Sequence, residues 1–293
     1  MRKLRILLTG GSGYIGRNIH EQLGGKYVFI APSHAQLELA NSDMVEVFLK
    51  THPVDIVVHT ANVGGNRAQT TIPNIAAYNL RIFFNLVRNT GYYKKFIFLG
   101  SGTQYGKQAP ISRVNETDLG FRMPADEFGL YKYVCARYIE DSTLPLLNLV
   151  LFGIYGKYEP YQFRFISNAL CRVLFDMPIV ISQNAFFDYL WIDDFVSILD
   201  YFLTHTAKYK TYNIGTGSQI DLLSLAKKIR ALNSKSLTIQ IAKSGLKEEY
   251  TCNIGRLMGE MPGFRFTKID ETLADLYCYY TKNRSMLDKY SLI

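Results

Sequence analysis

The residues best suited to chemistry stand near the start of the chain, where three glycines follow a short apolar run. The run from 4 to 8 predicts a buried strand, and apolar residues then resume at helical spacing. A glycine turn between a strand and a helix leaves backbone N–H groups unpaired at the positive end of the helix dipole, where a pyrophosphate can bind. An ordinary strand-to-helix turn is the alternative, but the position in an alternating α/β chain favours dinucleotide binding. We expect the contacts to come from Gly10, Gly13, Tyr14, Ile15 and Gly16.

The end of the second predicted strand bears on the choice between NAD and NADP. Ser33 and His34 follow the apolar run Tyr27–Ile30, and no carboxylate stands between that run and His34. A carboxylate at this place binds the ribose hydroxyls of NAD and would repel the 2′-phosphate of NADP. Its absence favours NADP(H) over NAD(H) as the cofactor.

Small residues follow the third predicted strand, Pro53–His59. Thr60, Ala61 and the nearby glycines leave room for the second half of a dinucleotide. His59 has the chemistry of a proton carrier, but at the end of a buried strand we expect a core histidine.

Strands and helices alternate steadily as far as residue 156. Further strands are predicted at 95–99 and 146–151, and helices at 75–89 and 126–140. This alternation predicts an α/β fold, a Rossmann doubly wound parallel sheet with a smaller C-terminal substrate lobe. We assign 1–155 to the NAD(P)-binding domain, with 186–215 returning to it, and we assign 156–185 and 216–293 to the lobe.

Composition excludes several other classes of protein. The 293 residues are 48% apolar and 20% charged, which is typical of a globular protein. No signal peptide or apolar run of membrane length is present, and the four cysteines have neither metal-ligand nor disulfide-framework spacing. The net charge is +8, but the basic residues are scattered along the chain, which favours a phosphorylated small molecule over nucleic acid as the partner. We therefore expect a cytoplasmic protein that binds neither membrane nor metal.

The order of a glycine-rich turn, Ser101 after a strand and Lys132 on the next helix resembles the extended short-chain dehydrogenase/reductases. More specifically, the chain is similar to the NAD-dependent epimerase/dehydratase family that acts on nucleotide sugars. The N-terminal half is most similar to GDP-fucose synthases. The resemblance implies that Lys132 holds the nicotinamide ribose and that Ser101 hydrogen bonds the reacting oxygen. It adds Thr60, Ala61, Asn79, Phe152 and Ile154 as cofactor contacts, and Thr103, Gly153, Arg164, Arg172 and Asp188 as substrate contacts.

The chain departs from this family at its central position. The family has a catalytic tyrosine four residues before the lysine, and Phe128 stands there instead. A phenyl ring cannot carry a proton, and a helix directs Tyr131 and Tyr133 about 100° away from Lys132. Three explanations remain open: a tyrosine-to-phenylalanine change made to trap a complex, another acid such as Ser101, Thr103 or a water, or lost chemistry.

Other departures narrow the expected reaction. Thr103 and Arg164 stand where GDP-fucose synthases carry the cysteine and histidine of epimerisation, and Gly102-Thr103 replace the Asp-Glu pair of sugar dehydratases. Phe187 replaces the arginine that pairs with the substrate pyrophosphate, so Arg164 and Arg172 are either phosphate ligands or solvated helix charges.

The remaining expectation is simple hydride transfer, by an NAD(P)-dependent oxidoreductase or epimerase of a nucleotide-activated deoxy-sugar used in polysaccharide synthesis. The expected reaction is 4-keto reduction or 4-epimerisation, and the alternative is an inactive dinucleotide-binding protein with a structural or sensing role. The resemblance also implies a homodimer formed by the helices near 75–90 and 126–140.

Overall fold

The computed structural model describes residues 2–65 and 72–292, which form twelve strands and nine α-helices. The strands are β1 (Arg5–Thr9), β2 (Val28–Ile30), β3 (Ile56–His59), β4 (Lys95–Ser101), β5 (Ile111–Val114), β6 (Leu146–Leu151), β7 (Ile179–Asn184), β8 (Phe186–Phe187), β9 (Thr211–Ile214), β10 (Ile220–Asp221), β11 (Ile239–Leu246) and β12 (Tyr250–Cys252). The helices are α1 (Tyr14–Leu23), α2 (Ser42–Thr51), α3 (Ile75–Val87), α4 (Glu127–Asp141), α5 (Phe165–Leu174), α6 (Ile192–Thr204), α7 (Leu222–Arg230), α8 (Gly255–Glu260) and α9 (Ile269–Lys282).

The central sheet has six parallel strands in the order β2-β1-β3-β4-β6-β9. The strand order reverses at β1, which lies between β2 and β3. In open parallel sheets a ligand binds beyond the carboxyl ends of the strands at such a reversal. The glycine turn after β1 lies at this point, and the predicted doubly wound α/β fold is confirmed.

Alternating side chains of the strands supply two apolar layers. Ile6 and Leu8 belong to a core cluster with residues of α1 and α6, whereas Leu7 packs with residues of α2, α3 and α4. This division follows from the strand geometry, which turns successive side chains to opposite faces. All three side chains are fully buried, so both faces of the sheet are covered and its carboxyl edge is held rigidly.

Outside the central sheet lie α5, α7 and α9 with two small sheets, a region called the lobe below. One pairs β11 with β7, and the other has the order β10-β8-β12-β5. The sequence predicts a short strand at 238–241, which overlaps the first part of β11, but it predicts no strand at β5, β7, β8, β10 or β12. β5 lies within the segment 1–155 yet pairs with β12, so a short piece of the predicted Rossmann segment joins the sheet of the lobe. Within the described ranges, no helix is both long and apolar enough to cross a membrane.

Candidate active site

The glycine turn after β1 has the shape that a pyrophosphate requires. Gly10 has a φ of +71°, and a Cβ on it would lie 2.8 Å from the backbone nitrogen of Ala61. A Cβ on Gly16 would collide with the Gly10 carbonyl, which explains the need for glycine at both positions. Gly13 precedes α1, and no side chain of the described residues caps that helix. The N–H groups that begin the helix, from Tyr14 onward, are therefore available to an anion, and this cradle fits a dinucleotide.

A cavity of about 180 Å³ lies beside this turn at the ends of β1, β2 and β3. Ser33 and His34 are among its lining residues, and none of the lining residues within the described ranges is acidic. The Ser33 hydroxyl donates to Gln36 Oε1 over 3.0 Å, and His34 Nε2 lies 2.7 Å from a Glu38 carboxylate oxygen. The cavity is where the Rossmann geometry would hold the adenosine ribose, and its lining contains no carboxylate to repel a 2′-phosphate.

Internal hydrogen bonds fix the loop after β3. The Thr60 hydroxyl donates to the Thr9 carbonyl, and the buried Asn79 side chain donates to the Val63 carbonyl over 2.7 Å and accepts from the Val63 N–H over 2.9 Å. Asn79 thus anchors the loop to α3, whereas the resemblance places it at the cofactor. His59 is buried with Nδ1 2.8 Å from Thr9 Oγ1, and burial together with Lys132 lowers the pKa of His59 to about 3. A neutral core histidine is what the sequence predicted at this position.

Ser101 ends β4, and Phe128 and Lys132 lie one turn apart on α4. Lys132 Nζ donates to the Leu99 carbonyl and lies 5.6 Å from the centre of the Phe128 ring. Burial lowers the pKa of Lys132 to about 7. The strand end and the helix thus bring Ser101, Phe128 and Lys132 to one edge of the sheet.

The Phe128 ring fills the space above the loop after β3. A Cβ on Gly65 would lie 2.8 Å from Phe128 Cζ, and one on Gly64 would lie 3.2 Å from Phe128 Cδ2. The other tyrosines of α4 do not share this space. Tyr131 is buried in the core layer with α3, and Tyr133 packs against a separate cluster on the far side of α4.

Polar groups remain unpaired next to Ser101. Thr103 is buried, and its Oγ1 has no hydrogen-bond partner among the described residues. Its N–H donates to Ser101 Oγ over 3.3 Å. Tyr250 also reaches this place from β12, because a Cβ on Gly102 would lie 2.5 Å from Tyr250 Oη. No sequence motif indicated Tyr250, which follows Gly102 by more than a hundred residues.

Two of the predicted substrate ligands have internal partners instead. The Asp188 carboxylate is fully buried and accepts from the N–H groups of Thr216 and Gly217 and from the Thr216 hydroxyl. The Arg172 guanidinium is buried and donates to Asn168 and to the carbonyls of Pro178 and Leu292. In this structure the Asp188 carboxylate fixes the turn at Thr216 and Gly217, and the Arg172 guanidinium fixes the C-terminal segment at Leu292.

The segment after β6 packs tightly rather than projecting polar groups. Gly153 has a φ of +38°, and a Cβ on it would collide with the Asp188 carbonyl. Phe152 is fully buried, and Ile154 is partly buried against the main core. Any contact of these three residues with a ligand would therefore come mainly from their backbone.

Arg164 is a basic residue whose side chain is accessible to a ligand. Its side chain is 46% exposed, and Nε lies 3.8 Å from an oxygen of the buried Glu159. Burial raises the pKa of Glu159 to about 7, and Arg164 opposes that rise. Arg164 also opposes the rise that burial causes in the pKa values of Tyr14 and Tyr250.

The chain is similar to known proteins. A family model described as the NAD dependent epimerase/dehydratase family matches residues 6–215. GDP-L-colitose synthase of Yersinia pseudotuberculosis is 29% identical over 171 residues, which are 54% of this chain and 56% of that protein. The chain thus spans little more than half the length of that relative. GDP-L-fucose synthase of Sinorhizobium fredii is 27% identical over 243 residues, which are 76% of this chain and 77% of that protein.

The fold also matches that of solved enzymes. GDP-mannoheptose C4 reductase from Campylobacter jejuni, solved with NADP bound, superposes with a TM-score of 0.82 at 20% identity, over 96% of this chain and 99% of the other. At that level of identity the match concerns the fold alone. The family model, by contrast, covers most of the chain and includes the glycine turn, Ser101 and Lys132. The chain belongs to the NAD dependent epimerase/dehydratase family.

Proposed function

We propose that the protein is an NADP(H)-dependent oxidoreductase that reduces the 4-keto group of a nucleotide-activated deoxy-sugar. One observation carries the proposal: the glycine turn, Ser101 and Lys132 meet at one edge of the sheet. These three features bind a dinucleotide, hold a sugar oxygen and anchor a ribose. The names of the GDP-sugar relatives make GDP-linked sugars the first substrates to test.

The dinucleotide would be held by the chain's own backbone and small side chains. The N–H groups at the start of α1 would hold the pyrophosphate, and Ser33 with His34 would contact the 2′-phosphate. When bound, the reduced nicotinamide supplies the hydride for the sugar carbon. Lys132, now directed at the Leu99 carbonyl, would turn to the nicotinamide ribose.

The sugar would lie between the end of β4 and the first turn of α4. Ser101 would donate a hydrogen bond to the keto oxygen and stabilise the negative charge that develops there. The unpaired Thr103 hydroxyl would bind a neighbouring sugar hydroxyl. Arg164, with its charge half exposed in the cleft, would pair with the pyrophosphate of the nucleotide.

Phe128 favours a second candidate function. Without a proton carrier beside Lys132, the same site would bind a dinucleotide as a structural or sensing ligand and turn nothing over. A 4-epimerase is a third possibility within the family, and it would need a base as well as an acid.

The experiment combines binding with turnover. NADPH and NADH are titrated by fluorescence, and wild type and Phe128→Tyr are then mixed with GDP-linked 4-keto sugars. Consumption of NADPH with formation of a 4-hydroxy sugar supports the oxidoreductase. Binding of NADPH without consumption by either form supports the binding protein. Sedimentation of the same samples tests the proposed homodimer through α3 and α4.

A further inference from the structure

The hydroxyl of Tyr250 reaches the end of β4 from the lobe. Tyr250 lies on β12, which is paired on both sides, with β5 and with β8. Its ring packs on that of Phe152 with the ring centres 5.0 Å apart. A Cβ on Gly102 would lie 2.5 Å from Tyr250 Oη, so the hydroxyl rests against the residue that follows Ser101. Pairing on both sides and aromatic packing hold this phenol in one place.

Groups from three other elements influence the pKa of the Tyr250 hydroxyl. Burial raises the pKa of Tyr250 to about 12, and the Ser101 side chain opposes that rise. Cys252 on the same strand and Asp126 at the start of α4 raise the pKa further, whereas Arg164 lowers it. Asp126 caps α4 two residues before Phe128. The hydroxyl lies against Gly102 at the end of β4, and it is protonated at neutral pH.

We infer that Tyr250 Oη donates the proton in the reduction, in the role that Phe128 cannot fill. The inference rests on the proposed function. The keto carbon gains a hydride from the reduced nicotinamide, the carbon–oxygen π bond breaks, and the oxygen takes the proton from Tyr250 Oη. The tyrosinate then recovers a proton from water. Ser101 holds the same oxygen and so aligns it with the donor.

The setting of Tyr250 suits an acid better than a base. Burial is the largest influence on the Tyr250 hydroxyl and raises its pKa to about 12. The phenol therefore keeps its proton at neutral pH and can give it to a developing alkoxide. The inference therefore favours ketone reduction over 4-epimerisation, because an epimerase must first remove a proton from the sugar hydroxyl.

The test compares wild type, Tyr250→Phe, Tyr250→Phe with Phe128→Tyr, and the control Tyr290→Phe, whose residue is 85% exposed. We expect Tyr250→Phe to lower kcat about 10²–10⁴-fold, the usual contribution of general acid catalysis. NADPH affinity measured by fluorescence should stay unchanged, since the phenyl ring keeps its packing on Phe152. Adding Phe128→Tyr should restore at least part of kcat. A Tyr250→Phe variant that keeps wild-type kcat would overturn the inference.

A second measurement does not depend on turnover. Tyr250 is replaced by 3-fluorotyrosine, and its fluorine resonance is followed as NADP⁺ and a GDP-hexose are added. A shift on addition of the sugar, in the presence of NADP⁺, supports contact between Tyr250 and the sugar. If wild type reduces no keto sugar, the proposed function fails, and this resonance alone decides whether Tyr250 lies at the sugar. An unmoved resonance with NADP⁺ and the sugar bound overturns the role of Tyr250.

Discussion

Lys132 lowers the stability of the fold at neutral pH because its amine is buried. The residue is only 4% exposed, and burial lowers its pKa from 10.5 to about 7. Between these pH values the unfolded chain binds this proton more tightly than the folded chain, so the free energy of unfolding rises with pH. At 1.36 kcal/mol per pKa unit, the cost of burial is about 5 kcal/mol at pH 6 and about 2 kcal/mol at pH 9.

We therefore expect Lys132→Met to stabilise the protein by about 2–3 kcal/mol more at pH 6 than at pH 9. The variant loses the hydrogen bond to Leu99, but it loses that bond at both pH values, so the difference isolates the charge. Urea unfolding of wild type and Lys132→Met, without dinucleotide, measures this difference in the free energy of unfolding. The control is Lys268→Met, whose side chain is 84% exposed. A stability change of equal size at the two pH values would refute the burial of this charge.

Three further predictions concern the charges of the cleft. Glu159 gives a pH dependence of stability opposite to that of Lys132: burial raises its pKa from 4.5 to about 7, so stability falls as pH rises through that window, and Glu159→Gln should be about 2–3 kcal/mol more stabilising at pH 8 than at pH 5. Equal effects at both pH values in urea unfolding would contradict this. Ser33→Asp should weaken NADPH binding by about 1–3 kcal/mol, the repulsion of charges about 5 Å apart at an effective dielectric constant of about 20–60, and should spare NADH. An equal loss for the two dinucleotides in fluorescence titrations would count against the assignment of the cavity. Arg164→Ala should raise KM for the nucleotide sugar about tenfold or more with little change in kcat, compared with Arg137→Ala on the surface, since charged hydrogen bonds contribute about 1.5–3 kcal/mol. A KM equal to that of the Arg137→Ala protein would remove Arg164 from the substrate site.

The sequence was sufficient to predict the parallel sheet and the position of the glycine turn within it. Apolar runs bounded by glycine specify strands that are buried on both faces, and the chain order of β1 and α1 places the glycine turn at the reversal of the sheet. The positions of Ser101 and Lys132 could likewise be predicted, because Ser101 ends a strand and Lys132 lies on the next long helix. In these cases local pattern and tertiary position agree.

The lobe was harder to predict, because its partners are distant in the chain. Asp188 and Arg172 carry charges, and such residues are natural candidates for ligand contacts. Their hydrogen-bond partners, however, lie near residues 216 and 292, far away in the chain. β12 has only three residues, too few for a periodic pattern, so nothing in the sequence brings Tyr250 to Gly102. Short strands paired across the fold are decided by tertiary packing, which a local pattern does not report.

The central claim is that this site transfers hydride to the carbon of a sugar ketone. The most direct measurement supplies wild-type protein with NADPH deuterated on the transferred position and a GDP-linked 4-keto-6-deoxy sugar, and analyses the product by mass spectrometry and NMR. The account predicts a 4-hydroxy sugar that carries one deuterium at C4. Binding of both ligands with no deuterium in the sugar would contradict it, and would leave a protein that holds a dinucleotide without using it.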